Sequence, residues 1–375
     1  MERNVREDLD ALIPKYISLS EKEKKSIISE ANHRLVGKRK KRIFVQPVLV
    51  TVAMLFLIVL IVPSFLSSSS PFTPEKVTIP DHEYDGLINA LYVDSTNELI
   101  FTDHQDIYSF NTELNEKSVL MDSNDTVIYD FAASEKWLIW HDIASFELNI
   151  LNRQTEEVSK VKGISAHDLL IKDDTLIYMP LKGGEAEHSY KKLDLNTLEE
   201  TTLHVLTGVG SSSKSALNNE FVVIPEAFRN DTGEYYTNFF LFDVATGELI
   251  DKFSAPFEHA RGVTITGNRI YAQFSNGDEA SILGYFNIVD GEFAQLDVPL
   301  FGDYAIYENT VALSLPKGSS NTVKLFELQE DGVKPLSTLN AIKERLVVPR
   351  FTREGTLIIN GESADFSMYL IQTKE

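Results

Sequence analysis

From residue 75 onward one pattern of polar and apolar positions recurs. A polar turn leads into an apolar strand: Asn97-Glu98 before Leu99 to Phe101, Glu135-Lys136 before Trp137 to Trp140, and Asp173-Asp174 before Thr175 to Met179. The same step recurs as Asn218-Asn219 before Glu220 to Ile224, Gly267-Asn268 before Arg269 to Phe274, Glu308-Asn309 before Thr310 to Leu315, and Glu354-Gly355 before Thr356 to Ile359. Successive turns start 38, 38, 45, 49, 41 and 46 positions apart. Each strand is followed by another, in most units folded into a hairpin with Asn, Asp, Thr or Gly at its turn, the signal for antiparallel pairing. A period of 40 to 50 residues with about four strands per unit predicts propeller blades.

The fold class expected is therefore all-β, a seven-bladed β-propeller over residues 75–375, with six or eight blades if one unit is miscounted. An array of two-sheet sandwiches is the alternative. A ring must close, because an open edge leaves backbone N–H and C=O groups unpaired. The last unit lacks its return strand, and an unused strand from Glu75 to Pro80 precedes the first unit, so that strand is expected to complete blade seven.

Ahead of the repeats the pattern changes. Ile43 to Leu66 is 24 residues without a charge, long enough at about 1.5 Å per residue to cross a hydrocarbon core of roughly 30 Å. Lys38, Arg39, Lys40, Lys41 and Arg42 precede it directly, and no cation follows until Lys76. The positive-inside rule then places the N-terminus in the cytosol and the repeats outside. The run is too long and its leader too extended for a cleaved signal peptide, so an uncleaved anchor is expected. Residues 67–74 form a Ser/Pro-rich linker.

Residues 1–42 carry a third pattern. Val5, Leu9, Leu12, Ile13, Tyr16 and Ile17 recur at helical spacing until Pro14 interrupts them, and Ser20 with Glu23 forms a capping box ahead of Ile27, Ile28, Ala31 and Leu35. Two short amphipathic helices cannot hide their apolar faces alone. Leu9, Leu12, Ile13, Ile27, Ile28 and Leu35 are the expected contacts for a cytosolic protein partner, with the basic cluster setting topology.

Composition sharpens this picture at two points. The net charge of −21 divides into +5 for residues 1–66 and −26 for the remainder, so the large domain repels phosphate backbones and nucleic acid is not an expected partner. Cysteine is absent, which removes disulfides, thiolate metal sites and a cysteine nucleophile together.

The order of short helical segment, single membrane span and outer sensor resembles bacterial membrane-bound anti-sigma factors and related single-pass regulators, although the zinc-binding His and Cys of some such domains have no counterpart here. The stretch Leu241-Phe-Asp-Val-Ala-Thr-Gly-Glu-Leu-Ile250 resembles the hairpins of WD40-like, TolB-like and PQQ-dehydrogenase-like propellers. The Trp-Asp and Gly-His signatures of WD repeats and the tryptophan docking of PQQ enzymes are missing. The resemblance implies a protein-binding ectodomain coupled to a regulator such as a sigma factor.

No G-x-S-x-G elbow, H-E-x-x-H, Walker loop or G-x-G-x-x-G turn occurs, and Gly208-Val-Gly210 reads as a flexible connection. In a propeller, the loops between second and third strands share a face with the blade-to-blade connections, and ligands meet that face or the channel. The candidates there are His104, Asp106, His141, Asp142, His188, Asp278 and Asp365, with Phe228 and Tyr235 as an aromatic contact patch. Three histidines among carboxylates also suit a divalent metal or acid–base work. Trp137 and Trp140 read as blade packing. No enzyme activity, cofactor or metal is expected. The leading reading is a signalling protein of a bacterial cell membrane whose propeller binds a peptide, protein or envelope ligand; the alternatives are an anchored scaffold and a propeller-type hydrolase or lyase.

Overall fold

The structure is a computed structural model. It describes residues 20, 22, 25 and 26, and then 72–83, 89–103, 105–122, 128, 130–142, 144–162, 165–181, 188–277, 280–318, 320–330, 332–362 and 365–372. The chain divides into two units at Ser68–Ser69. In the leader, Lys22, Lys25 and Ser26 are helical and Ser20 is not. The proposed span 43–66, the partner-contact residues Leu9, Leu12, Ile13, Ile27, Ile28 and Leu35, and the basic cluster Lys38 to Arg42 lie outside the described residues. Among the described residues no helix is long and apolar enough to cross a membrane.

The second unit holds seven antiparallel sheets, one for each repeat. Blade one comprises β2 (Ala90–Val93), β3 (Glu98–Thr102), β4 (Ile107–Asn111) and β5 (Glu116–Met121). Blade two is β6 (Phe131–Ala133), β7 (Trp137–Asp142), β8 (Glu147–Asn152) and β9 (Glu157–Lys162). Blade three is β10 (Ser165–Lys172), β11 (Thr175–Leu181), β12 (Ser189–Asp194) and β13 (Glu200–Val205). In blade four the inner strand is broken into β14 (Gly210–Ser211) and β15 (Ala216–Leu217), followed by β16 (Phe221–Arg229), β17 (Tyr235–Asp243) and β18 (Leu249–Ala255).

Blade five contains β19 (His259–Thr266), β20 (Arg269–Ser275), β21 (Ile282–Asn287) and β22 (Phe293–Leu296). Blade six contains β23 (Asp303–Tyr307), β24 (Thr310–Lys317), β25 (Ser320–Leu328) and β26 (Val333–Leu336). Blade seven takes three strands from the C-terminal end, β27 (Arg345–Phe351), β28 (Leu357–Glu362) and β29 (Asp365–Ile371), and its outer strand, β1 (Pro74–Glu83), from the opposite end of the ring. Pro74 pairs with Ile371 and Thr78 with Ser367. This is the closure expected from the unused strand.

The repeat is visible at atomic level in the turns between third and fourth strands. The side-chain oxygens of Asn111, Asn152, Asp194, Asp243 and Asn287 accept backbone N–H groups two or three residues on. The fourth residue after each, Asn115, Glu156, Leu198, Gly247 and Gly291, adopts a left-handed backbone with φ between 54 and 77°. Asn and Asp suit such turns because a short side chain can imitate the backbone acceptor. The residue following each turn-opener then donates its N–H to the carbonyl of the first-to-second-strand turn, as Thr112 to Asn97, Leu195 to Asp174 and Val244 to Glu220 do at 2.8 to 2.9 Å. Both turns at that end of a blade are thus tied together.

Apolar residues alternate between the two faces of each sheet and meet those of the neighbouring blade. Trp137, Ile139 and Leu148 of blade two pack on Leu169, Leu176 and Tyr178 of blade three. Phe239, Phe253, Phe274 and Phe286 join blades four and five. Trp137 and Trp140 are 4% and 7% exposed, in agreement with a packing role.

Candidate functional site

The seven sheets give the domain two distinct ends. One carries the turns just described; the other carries the loops between second and third strands and the connections between blades, where the sequence candidates fall. On this loop side the candidates do not form one constellation. His104 and Asp278 lie outside the described residues, and Asp365 is described only as the first backbone position of β29. Asp106 accepts a hydrogen bond from the Tyr108 hydroxyl at 3.1 Å, beside Asp103, whose carboxylate caps the N–H of Asp106 at 2.9 Å. Asp142 does the same for the blade-two loop, accepting from Ala144 N at 2.8 Å and Ser145 Oγ at 2.6 Å. These carboxylates shape their own loops. His188 is exposed ahead of β12.

His141 is 3% exposed. It ends inside the seam between blades two and three, its ring 6.1 Å from that of His167, and its Nε2 has no hydrogen-bond partner among the described residues. Burial, and then the neighbouring His167, hold its ionisation below the usual histidine range. Among the described residues no three His, Asp or Glu side chains converge as a metal site would require.

The aromatic pair divides in the same way. Residues directly opposite in an antiparallel pair share a face. Phe228 is opposite Tyr236 and Arg229 is opposite Tyr235, so Phe228 and Tyr235 fall on opposite faces of one hairpin. Phe228 stacks on Tyr236 at 5.6 Å and reaches Phe240, which in turn meets His204 of blade three at 4.3 Å. Tyr235 is 40% exposed and carries the Arg229 guanidinium 5.4 Å from its ring centre. Of the two, Tyr235 is the exposed aromatic on this hairpin.

Polar groups outside the predicted candidates line the inner wall. Asp130, just before β6, accepts the N–H of Asp168 in blade three at 3.0 Å and the Lys214 ammonium at 3.4 Å. Asp168 in turn accepts from Ser215 N and Oγ, both at 2.6 Å, and from the Tyr190 hydroxyl at 2.9 Å. Three successive inner strands are laced by two carboxylates. Burial pushes the Asp168 carboxyl upward, against the opposing hydrogen bonds from Ser215 and Tyr190. A charged residue inside the apolar run of β10 was the available signal.

Asp168 sits at a β-bulge that recurs at the equivalent place in alternate blades. The register slips between His167 and Leu170, between Arg261 and Thr264, and between Val347 and Arg350. The left-handed residue is Asp168 in blade three, Gly262 in blade five and Val348 in blade seven, with φ of 55, 60 and 52°. Each bulge is tied to the following blade: Asp168 to Ser215, the Gly262 carbonyl to the Tyr304 hydroxyl at 2.7 Å, and Arg350, two residues beyond Val348, to the Ala90 carbonyl at 2.8 Å.

The connection into blade four is ordered by a further buried carboxylate. Glu226, fully buried, accepts Thr207 N at 2.5 Å, the Gly208 N–H, and His204 Nε2 at 2.7 Å. A Cβ on Gly208 would stand 2.2 Å from the Ala227 carbonyl oxygen. The segment expected to be flexible is instead a turn wrapped around the protein's own anionic group.

On the turn side, inner strands and their turns in blades one, two, three, four and seven line a cavity of about 630 Å³, and those of blades four to seven line one of about 420 Å³. The first holds the carboxylates of Asp94, Glu135 and Asp173 together with Arg350 and Arg353. On the loop side, apolar side chains stand exposed in four loops or connections: Phe146 at 58%, Val209 at 60%, Tyr235 at 40% and Leu300 at 64%.

A ring of seven antiparallel blades closed by a clasp strand defines this unit as a seven-bladed β-propeller. No protein-family model matches the chain, and no curated protein matches it. Among solved structures, it is similar to a chain of the mitotic checkpoint complex (TM-score 0.54, 11% identity, 80% of this chain and 91% of that one). It is also similar to the Cps50 (Swd1) β-propeller domain of Myceliophteria thermophila (0.52, 12%, 80% and 99%). A prolyl endopeptidase chain matches at 0.52 and 12%, covering 77% of this chain and 50% of its own. At such identities the likeness is one of fold.

Proposed function

We propose that this protein is a membrane-anchored regulator: its propeller, outside the cell membrane, binds a peptide, protein or other envelope ligand through the loop side, and its N-terminal segment engages a cytosolic regulator such as a sigma factor. The observation that carries the binding half is the exposure of Phe146, Val209, Tyr235 and Leu300, the first three on segments held by their own hydrogen bonds. Exposed apolar residues on pre-formed loops lose little freedom on association, which is what a contact surface needs. The regulatory half rests on the charge asymmetry about residues 43–66 and on the apolar stripes of the leader.

Deleting residues 2–37 of the full chain, with the basic cluster retained, tests the second half. Altered expression of a defined set of genes is expected, with the protein still in the membrane. An unchanged transcript profile would remove the regulatory reading and leave an anchored scaffold. Combined replacement of Phe146, Val209, Tyr235 and Leu300 by serine tests the first half, and should abolish recovery of the outer ligand while leaving thermal unfolding unchanged.

A further inference from the structure

The hairpin of β16 and β17 is the longest among the described residues, with nine residue pairs from Phe221↔Asp243 to Arg229↔Tyr235. Its tip is rigid. The Asn230 side-chain oxygen accepts Thr232 N at 3.0 Å and Glu234 N at 2.9 Å, and Arg229 Nε donates to the Gly233 carbonyl at 2.9 Å. Between this tip and the loops of blade five runs an open groove of about 670 Å³, lined by Asn230, Glu234, Tyr235, Tyr236, Ser254, Pro256, Glu258 and Asn276.

The chemistry of the lining is one-sided. Two carboxylates face it, Glu258 lying 3.8 Å from His259 Nε2, and among the described residues neither Lys nor Arg lines it. Asn230 Nδ2 and Thr232 Oγ1 donate to Glu234 at 3.0 and 2.9 Å and keep its carboxyl below the usual range, so it is ionised at neutral pH. Glu258 is fixed by Gly277 N at 3.2 Å and by its own N–H to Asn276 at 3.1 Å. Tyr235 offers an exposed ring whose electrostatics already hold one guanidinium, that of Arg229. An aromatic face beside fixed carboxylates attracts a cation, by ring quadrupole and by charge together.

We propose that this groove receives a lysine or arginine side chain from an extended segment of a partner protein. The side-chain amides and the serine hydroxyl along the wall then pair with the partner's backbone, and Pro256 and Tyr236 supply apolar contact. The proposal rests on the protein-binding reading above and gives the partner its chemistry: a basic, extended stretch, complementary to a domain carrying a large net negative charge.

The test uses the full chain in detergent micelles and a fluorescein-labelled peptide alternating arginine and glycine, with an alternating glutamine and glycine peptide as reference, read by anisotropy. The arginine peptide should bind and the glutamine peptide should not. Glu234→Gln with Glu258→Gln should weaken binding about 10-fold, since both charge contacts with the basic side chain are lost. Tyr235→Ala should cost about 3- to 5-fold and Tyr235→Phe almost nothing.

The control, Glu116→Gln with Glu157→Gln on the outer strands, removes the same charge at exposed positions and should change affinity less than about 2-fold. Equal losses in control and groove variants would show general attraction to an acidic surface and overturn the assignment, as would unchanged affinity in the groove variants or tighter binding of a neutral oligosaccharide. In that event a photo-crosslinker at Phe146 or Leu300 that still captured a protein in intact cells would leave the wider binding reading standing.

Discussion

The seams of the ring are joined by two different kinds of interaction. Between blades two, three and four carboxylate ties are added to the apolar packing: Asp130 to Asp168, Asp168 to Ser215, Asp174 to the Trp137 indole at 2.8 Å and the Lys136 ammonium at 2.7 Å, and Glu226 to His204. Between blades four and five the contacts are rings, with Phe239, Phe257, Phe274, Phe286 and Phe293 within 5.1 to 6.5 Å of one another. The architecture is one, yet the free energy has two origins. Ring packing depends on area and volume removed from water and is indifferent to pH. Carboxylate ties depend on protonation and on every buried partner being satisfied.

The difference can be broken most forcefully on the aromatic side. Phe274 is fully buried against four other rings, and Phe274→Ala should destabilise the domain by roughly 3 to 5 kcal/mol, read as an earlier urea midpoint whose distance from that of the wild type is the same at pH 5 and pH 8. On the polar side Asp168→Ala strands the donors of Ser215 and Tyr190 and puts alanine at φ 55°, for a loss of roughly 2 to 3 kcal/mol. Asp168→Asn keeps an acceptor and a side chain that tolerates this backbone, and should lose well under half as much. Equal losses for the two variants would mean that the charge, not the hydrogen bonding, holds the seam.

A smaller effect of opposite sign is expected at the third bulge. Val348 is β-branched, half exposed and left-handed at φ 52°, where blade five has Gly262. Val348→Gly should raise stability by about 1 kcal/mol, measured as a later unfolding midpoint. The smallest change is in pH dependence. His141 in the folded chain ionises below its unfolded value of 6.5, so the unfolded chain takes the proton first. Stability is therefore complete above pH 6.5 and declines as the pH falls below it. His141→Leu should flatten that decline, and a slope identical to that of the wild type would place the titration elsewhere. Asp174, held near about 2 by Lys136, Trp137 and Asn196, acts in a lower window: its contribution is present above pH 3.8 and fades below it.

Blade number, strand order and clasp were legible because each rests on period and on turn chemistry that a local window contains. Asn111, Asp194 and Asp243 announce their turns by residue type alone. The inner wall was not legible in this way. Whether a carboxylate such as Asp168 caps its own loop or reaches the next blade depends on a one-residue register slip, and nothing in an apolar strand encodes that slip beyond the misplaced charge. Phe228 and Tyr235 lie near each other in sequence and so read as one patch, but the pairing of the hairpin sends them to opposite faces. His141 reads as a loop residue in the sequence, whereas β7 continues through it to Asp142 and carries it into the seam.

The clasp has a consequence for biosynthesis. β1 is the first strand of the ring to leave the ribosome and its partner β29 the last, so the ring cannot close until almost the whole domain has been translated. Through that interval β1 waits as an open edge, and its composition suits the wait: Pro74 and Pro80 cannot donate to a foreign strand, and Glu75 and Lys76 place charges along it. A newly made copy is thereby discouraged from pairing with its neighbour on the same message before its own last strand arrives.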